Sequence, residues 1–327
     1  MKATITATAK YLPDRILTNS DLEKIIDTTD EWIKTRTGIE ERHLVAKGQA
    51  TSSMATEVAK ILLKRTKTDP SKVDIIIIAS VTPDMMFPST ASLVQENIKA
   101  KKSWGFDLSG ACTGFLFALE TGAKFIESGK YNKVMVIGSD TMSAITDYTD
   151  RNTCVLFGDG AGGVMLEPTE RDEGVLDSIL RLDGSGGPYL HMPAGGSLHP
   201  ASDDTVKKRM HYIKQDGKTV FKFAVKGMAD ISAEILEKNN IPGEDVKIFI
   251  PHQANKRIID AAAKRCNIPP ERVLININKY GNTTAATIPI GLDESYSKGL
   301  ISKGDIVLLA AFGAGFSWGS TLIRWGI

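Results

Sequence analysis

The apolar residues of this chain fall in short, nearly unbroken runs rather than in the alternation of a half-buried strand. The clearest are Val73-Asp-Ile-Ile-Ile-Ile-Ala-Ser80, Lys133-Val-Met-Val-Ile-Gly138, Val246-Lys-Ile-Phe-Ile250 and Ile306-Val-Leu-Leu-Ala310. Runs of this kind predict strands buried on both faces. Longer segments between them, such as Thr113 to Ser128, read as helices. Doubly covered strands alternating with helices predict an α/β layered fold.

The pattern also occurs twice. Met54-Ala-Thr-Glu, a helix and Asp69-Pro-Ser-Lys-Val-Asp-Ile-Ile-Ile parallel Met228-Ala-Asp-Ile, a helix and Pro242-Gly-Glu-Asp-Val-Lys-Ile-Phe-Ile. Met54 to Val73 is 19 positions and Met228 to Val246 is 18. Further on, Cys112 to Gly129 and Asn282 to Gly299 are both 17 positions. Two matches in the same order predict a duplicated unit with a pseudo-two-fold axis. Cys112 and Asn282 are then expected at equivalent helix starts, both near the seam. The expected halves are residues 1–170, with the cysteine, and 171–327. Two stretches depart from the repeat. Residues 1–50 hold a first strand and the charged segment Asp30-Glu-Trp-Ile-Lys-Thr-Arg-Thr-Gly38, and residues 184–218, rich in Gly, Pro, Ser, His and Lys, read as an inserted loop or lid. The helical unit is expected to resume near Val220.

Composition narrows the function classes. Of 327 residues 42% are hydrophobic and 24% charged, and 40 Lys and Arg against 39 Asp and Glu leave a net charge of +1. That is a globular chain with a sizeable core and no electrostatic call for nucleic acid or a membrane surface. The three cysteines, at 112, 154 and 266, have neither disulfide-framework nor zinc-ligand spacing. The N-terminus lacks a signal-peptide core, and no apolar run approaches the roughly 20 residues of a membrane span. The expected location is the cytoplasm.

Candidate chemistry begins at Cys112, in Asp107-Leu-Ser-Gly-Ala-Cys-Thr-Gly-Phe115, where a short apolar segment turns through small residues into a helix. A thiol at a helix start meets unpaired N–H groups that favour thiolate. A lone cytosolic cysteine is otherwise a buried structural residue. His252 follows the strand Ile248–Ile250 in Pro251-His-Gln-Ala-Asn-Lys-Arg257, at a strand end of the type where α/β proteins place ligands, or else in an incidental capping turn. Asn282, in Lys279-Tyr-Gly-Asn-Thr-Thr-Ala-Ala286, resembles an N-cap. Ala311-Phe-Gly-Ala-Gly-Phe-Ser317 presents backbone N–H groups suited to an oxyanion hole, or an ordinary tight turn. A thiol, an imidazole and a carboxamide meeting at the seam have the parts for acyl transfer.

Five ordered motifs, Gly110-Ala-Cys-Thr-Gly-Phe115, Asp150-Arg-Asn-Thr-Cys-Val-Leu-Phe-Gly-Asp-Gly-Ala-Gly162, Pro251-His-Gln-Ala-Asn255, Tyr280-Gly-Asn-Thr283 and Phe312-Gly-Ala-Gly-Phe-Ser-Trp-Gly319, resemble the β-ketoacyl-acyl-carrier-protein synthase III family nearly end to end. The resemblance implies a thiolase-like, duplicated five-layer αβαβα fold and the first condensation of bacterial fatty-acid synthesis. It implies that Cys112 takes an acyl group from acyl-CoA, acetyl-CoA foremost. His252 and Asn282 then donate hydrogen bonds to the thioester carbonyl of malonyl-acyl-carrier protein as CO2 leaves. The N–H groups of Cys112 and Ala314 hold the tetrahedral oxygen. It further implies a CoA adenine clamp of Trp32 and Arg151, a supporting Asn255, CoA-phosphate or carrier-protein contacts from Arg36, Lys222, Lys256 and Arg257, and a homodimer in which Phe87 closes the partner's acyl pocket. No metal or redox cofactor is implied.

The sequence departs from the family in a longer Ala194–Lys208 segment and in Ala314, where many members carry glycine; only its backbone is needed there. Gly158-Asp-Gly-Ala-Gly-Gly163 lacks the Lys-Ser/Thr of a P-loop and is expected to form a tight turn supporting the site. Among rival readings, a papain-like protease has the same Cys, His, Asn order but lacks the local cysteine signature. A thiolase needs a second reactive cysteine near the C-terminal glycine turn, and no cysteine follows Cys266. A non-catalytic acyl-binding protein needs no nucleophile. Elongating synthases use two histidines where this chain has Asn282. A starter enzyme of polyketide or related metabolism shares the same three residues.

Overall fold

A computed structural model describes residues 1–327. Its main elements in chain order are β1 (Lys2–Tyr11), α1 (Thr51–Thr66), β2 (Ile75–Ala79), α2 (Thr90–Asn97), β3 (Trp104–Leu108), α3 (Gly114–Glu127), β4 (Val134–Asp140), β5 (Gly160–Thr169), β6 (Gly174–Leu182), α4 (Gly217–Lys238), β7 (Val246–Pro251), α5 (Lys256–Arg265), α6 (Thr287–Ser297), β8 (Ile306–Gly313) and β9 (Ser317–Arg324).

They form two sheets of the same design. The first has the order β1-β5-β4-β2-β3, with β2 parallel to β3 and β4 and the β4–β5 and β5–β1 pairs antiparallel. The second has the order β7-β8-β9-β6, with β7 and β8 parallel and the other pairs antiparallel. A single parallel bridge from Phe249 to Val273 stands where the second sheet would have its counterpart of β3. The chain crosses between sheets after Thr169 and before Gly174.

Side-chain alternation on these unbroken apolar strands fills three layers of core. Ile75, Ile77, Val134, Val136, Ile248, Ile250, Val307 and Leu309 face a central cluster that also holds Phe115 and Leu119 of α3 and Ile288 and Leu292 of α6. The intervening Ile76, Ile78, Met135 and Ile137 face α1 and α2, and Phe249, Leu308 and Ala310 face α4 and α5. Successive residues pointing to opposite faces therefore account for the continuous apolar runs. Three helical layers separated by two sheets make the five-layer, thiolase-like α/β fold.

Two details differ from the sequence expectation. The shared spacing of 17 does not make Cys112 and Asn282 equivalent. Helix α3 begins two residues after Cys112, whereas α6 begins five after Asn282. The spacing survives because α3 has 14 residues and α6 has 11, each followed by a left-handed glycine, Gly129 at φ 74° and Gly299 at φ 68°. The matching points are Ala111 (φ 45°) and Thr284 (φ 52°), each opening a 3-10 turn before its helix. Asn282 thus reaches the site from three residues further back. Nor is the glycine-rich stretch a turn, because Gly160 to Gly163 open strand β5 beneath α6. A Cβ on Gly162 would lie 2.6 Å from the backbone nitrogen of Ile290, so the close approach of sheet and helix requires the small residues.

Candidate active site

Cys112, His252 and Asn282 line one cavity of about 830 Å³, together with Ala314, Trp32, Arg36, Asn255 and Arg257. The three polar residues are nearly sealed, with exposures of 8%, 2% and 7%.

Each arrives by a different device. Cys112 sits in the 3-10 turn Ala111–Thr113 that leads into α3. The end of β8 presses against it, since a Cβ on Gly313 would lie 2.9 Å from the Cys112 nitrogen and 3.0 Å from its Cβ. His252 follows β7, and its N–H donates to the Ala310 carbonyl at 2.8 Å. The next residue fixes the turn: Gln253 donates to the carbonyls of Pro251 and Leu274 and accepts the N–H groups of Asn276 and Ile277. Asn282 is pinned through its backbone to the other half of the chain, its N–H on the Leu156 carbonyl at 2.9 Å and its carbonyl receiving the Gly158 N–H at 3.0 Å. Its Oδ1 accepts the Thr284 N–H at 2.9 Å, which leaves Nδ2 to face Cys112.

The protonation states follow from burial. Desolvation lowers the His252 imidazole to about 3, so it is neutral at physiological pH. Neither ring nitrogen has a hydrogen-bond partner. A buried imidazole left unpaired in a cavity is an unmet demand that a substrate oxygen can satisfy. The Cys112 thiol is pushed up to about 12, first by burial and then by the charge of Asp140, with its own backbone N–H and Asn282 opposing. The helix start therefore does not hold a resting thiolate, contrary to the sequence expectation.

Asp140 went unnoticed in the sequence. It ends β4 beneath the site, where Oδ1 accepts from the Ser80 hydroxyl, the Val81 and Thr82 N–H groups and the Thr82 hydroxyl. Its Oδ2 accepts from the Ala285 N–H at 3.1 Å, tying the turn after Asn282 to the first sheet. The strand-end logic that singled out His252 applies equally to Ser139-Asp140.

The remaining expected residues lie along or beyond the mouth. The Arg151 guanidinium stacks on Trp32 at 4.2 Å from the ring centroid, with Arg36 at 5.6 Å from the same ring. A base between Trp32 and Arg151 needs roughly 7 Å, two stacking distances, so the pair is closed on itself here. Asn255 caps α5 through the Arg257 N–H and donates to the Arg36 carbonyl, so its carboxamide supports the rim. Arg257 lies over Phe221 at 4.9 Å, while Lys256 is paired with Asp260 at 2.7 Å. Lys222 is exposed on α4, and Phe87 stands 84% exposed, outside this cavity. The inserted region contributes Leu190, His191, Met192 and Ile213 to the cavity wall. No group of three or more His, Cys, Asp or Glu is placed to hold a metal ion.

Known proteins carry the same architecture. The family models described as "3-Oxoacyl-[acyl-carrier-protein (ACP)] synthase III" and its "C terminal" match residues 106–184 and 236–325. A β-ketoacyl-[acyl-carrier-protein] synthase III of Koribacter versatilis is 56% identical over 326 residues, covering 99% of this chain and 98% of that protein. The chain belongs to the β-ketoacyl-acyl-carrier-protein synthase III family. A relative of the same name from Chlorobaculum tepidum is 56% identical over 328 residues, covering 99% of this chain and all (100%) of its own. The crystal structure of 3-oxoacyl-[acyl-carrier-protein] synthase III from Aquifex aeolicus VF5 superposes with a TM-score of 0.91 at 45% identity, covering 99% of this chain and 100% of that one. The chain is thus an acyltransferase of the condensing-enzyme class, with the thiolase-like fold expected from its sequence.

Proposed function

We propose that this member of the family joins a short acyl-CoA, acetyl-CoA foremost, to malonyl-acyl-carrier protein, giving 3-oxoacyl-acyl-carrier protein, CoA and CO2. The observation that carries the reading is the pair of neutral donors, an unpartnered His252 imidazole and the Asn282 carboxamide, sharing one cavity with Cys112. In the first half-reaction Sγ of Cys112 attacks the acyl-CoA carbonyl, the C–S bond to CoA breaks, and the departing CoA thiolate takes up the thiol proton. In the second, the malonyl C–CO2 bond breaks and its electron pair moves into an enolate. The enolate oxygen receives N–H bonds from His252 and Asn282, which stabilise charge that develops only in the transition state. The enolate carbon attacks the acyl-Cys112 carbonyl, whose oxygen rests on the N–H groups of Cys112 and Ala314. The tetrahedral intermediate expels the Cys112 thiolate, which takes up a proton from water to restore the resting thiol. Each bond change is served by side chains and by the two thioesters, so the scheme calls for no metal or redox cofactor.

The same reading assigns Trp32 and Arg151, with Arg36, to CoA, and gives Asn255 a supporting role. Lys222 and Arg257 serve the acidic carrier protein, with Lys256 secondary because Asp260 already engages it. Residues 1–170 carry the nucleophile and 171–327 the two donors. Phe87, with Met85 and Met86 exposed beside it, is offered to a second copy of the chain, as is β3, one of the two terminal strands of the first sheet. The cytosol, where CoA thioesters and carrier protein meet, is the proposed location.

Mass spectrometry of the protein incubated with acetyl-, isobutyryl- and hexanoyl-CoA tests the reading. An acyl adduct is expected on Cys112 and none in Cys112→Ala; acylation elsewhere, or of no residue, refutes it. His252→Ala and Asn282→Ala should each retain the adduct while condensation falls by about a hundredfold or more. Unimpaired decarboxylation of the malonyl thioester in either variant would remove that residue from the scheme.

A further inference from the structure

Arg42 is a cation with no exposed surface. Its guanidinium meets only neutral oxygens: one terminal nitrogen donates to the Leu17 carbonyl at 3.1 Å and to Asn19 Oδ1 at 2.9 Å, the other to the Val155 carbonyl at 2.7 Å. Burying a charge without a carboxylate partner is costly, and burial lowers this guanidinium to about 10. Some positional constraint has to hold it there.

The three acceptors indicate the constraint. Asn19 passes its own amide to Asp30 Oδ1 at 2.9 Å and to the Ile39 carbonyl at 2.8 Å. Asp30 is the first residue of the helix Asp30–Thr37, which carries Trp32. Val155 is the C-cap of the helix Arg151–Cys154, which begins with Arg151. Arg42 therefore stands between the two segments that bear the indole and the guanidinium stacked at 4.2 Å. Ile33, Cys154 and Val155 meet in one small buried cluster, but apolar contact alone permits sliding. A planar fork with fixed donor directions does not, and a lysine cannot reproduce it.

We propose that Arg42 is a positioning residue that sets the separation and tilt of Trp32 and Arg151, and so tunes affinity for the adenine end of CoA without touching it. This rests on the assignment of Trp32 and Arg151 to CoA. The discriminating experiment compares acetyl-CoA with acetyl-N-acetylcysteamine, a thioester that reaches Cys112 but has no adenine. Arg42→Met should raise KM for acetyl-CoA by about tenfold with kcat retained, and leave kcat/KM for the truncated thioester within about twofold of the parent. Trp32→Ala should do the same, and adding Arg42→Met to it should cost nothing further, since both act through one contact. Arg42→Lys should show a smaller split in the same direction, and it carries the comparison should the methionine variant not fold. An equal loss with both thioesters, or an unchanged KM for acetyl-CoA, overturns the role of Arg42. An unchanged KM in Trp32→Ala instead overturns the CoA assignment itself, whatever Arg42→Met does.

Discussion

Cys112 at rest is a thiol rather than a thiolate, because burial and Asp140 outweigh its own backbone N–H and Asn282. Asp140 is itself lifted to about 6 by burial, so above that pH it is a carboxylate and opposes ionisation of the thiol. Asp140→Asn removes the charge at every pH and should move the pH profile of Cys112 alkylation by iodoacetamide to lower pH. The difference from the parent should narrow below about pH 6, where the parent's own Asp140 becomes protonated. A profile that does not move would mean that Asp140 acts only as a tether for Ala285. At this scale Cys112 and His252 were readable because they stand at a helix start and a strand end within distinctive motifs, and Asn282 through its motif alone, since it lies five residues before its helix. Asp140 and Arg42 were not, because their importance lies in what folding brings to them. The donors on Asp140 come from positions 80 to 82 and 285, and the acceptors of Arg42 from 17, 19 and 155.

The strands and helices were legible because burial on both faces writes itself directly into composition. Their meeting points were not, since a spacing along the chain does not say where a helix begins. The contact between β4 and the turn before α6 is the sharpest case. A Cβ on Gly138 would lie 2.2 Å from the Ala285 carbonyl oxygen, and backbone on both sides leaves little to yield. Gly138→Ala should therefore lower stability by about 3 kcal/mol, read as a shift of the urea midpoint with the slope unchanged. Because Ala285 also bonds Asp140, condensation should suffer before the fold is lost. An alanine variant as stable as the parent would show that this contact is looser than described.

The duplicated architecture was visible in the sequence as a repeated order of segments, and the two sheets of matching strand order bear it out. Assembly is a separate matter, because an exposed surface has no periodicity to read. In the proposed dimer, the exposed Phe87 and the row of Trp104, Phe106, Phe125 and Tyr131 on and beside β3 are the apolar groups a second copy would cover. Sedimentation should give twice the mass of the chain. Phe87→Ala should keep that mass while admitting longer acyl-CoAs to Cys112; a monomeric parent, or an unaltered acyl range, would contradict the arrangement. The central helical layer has a consequence for synthesis. Helix α3 and the inner face of the first sheet are finished early, yet the covering helix α6, residues 287–297, is among the last parts made. At ordinary translation rates those surfaces wait on the order of ten seconds for their cover. The nascent chain is therefore a natural client for chaperones, and the first half expressed alone should aggregate rather than fold.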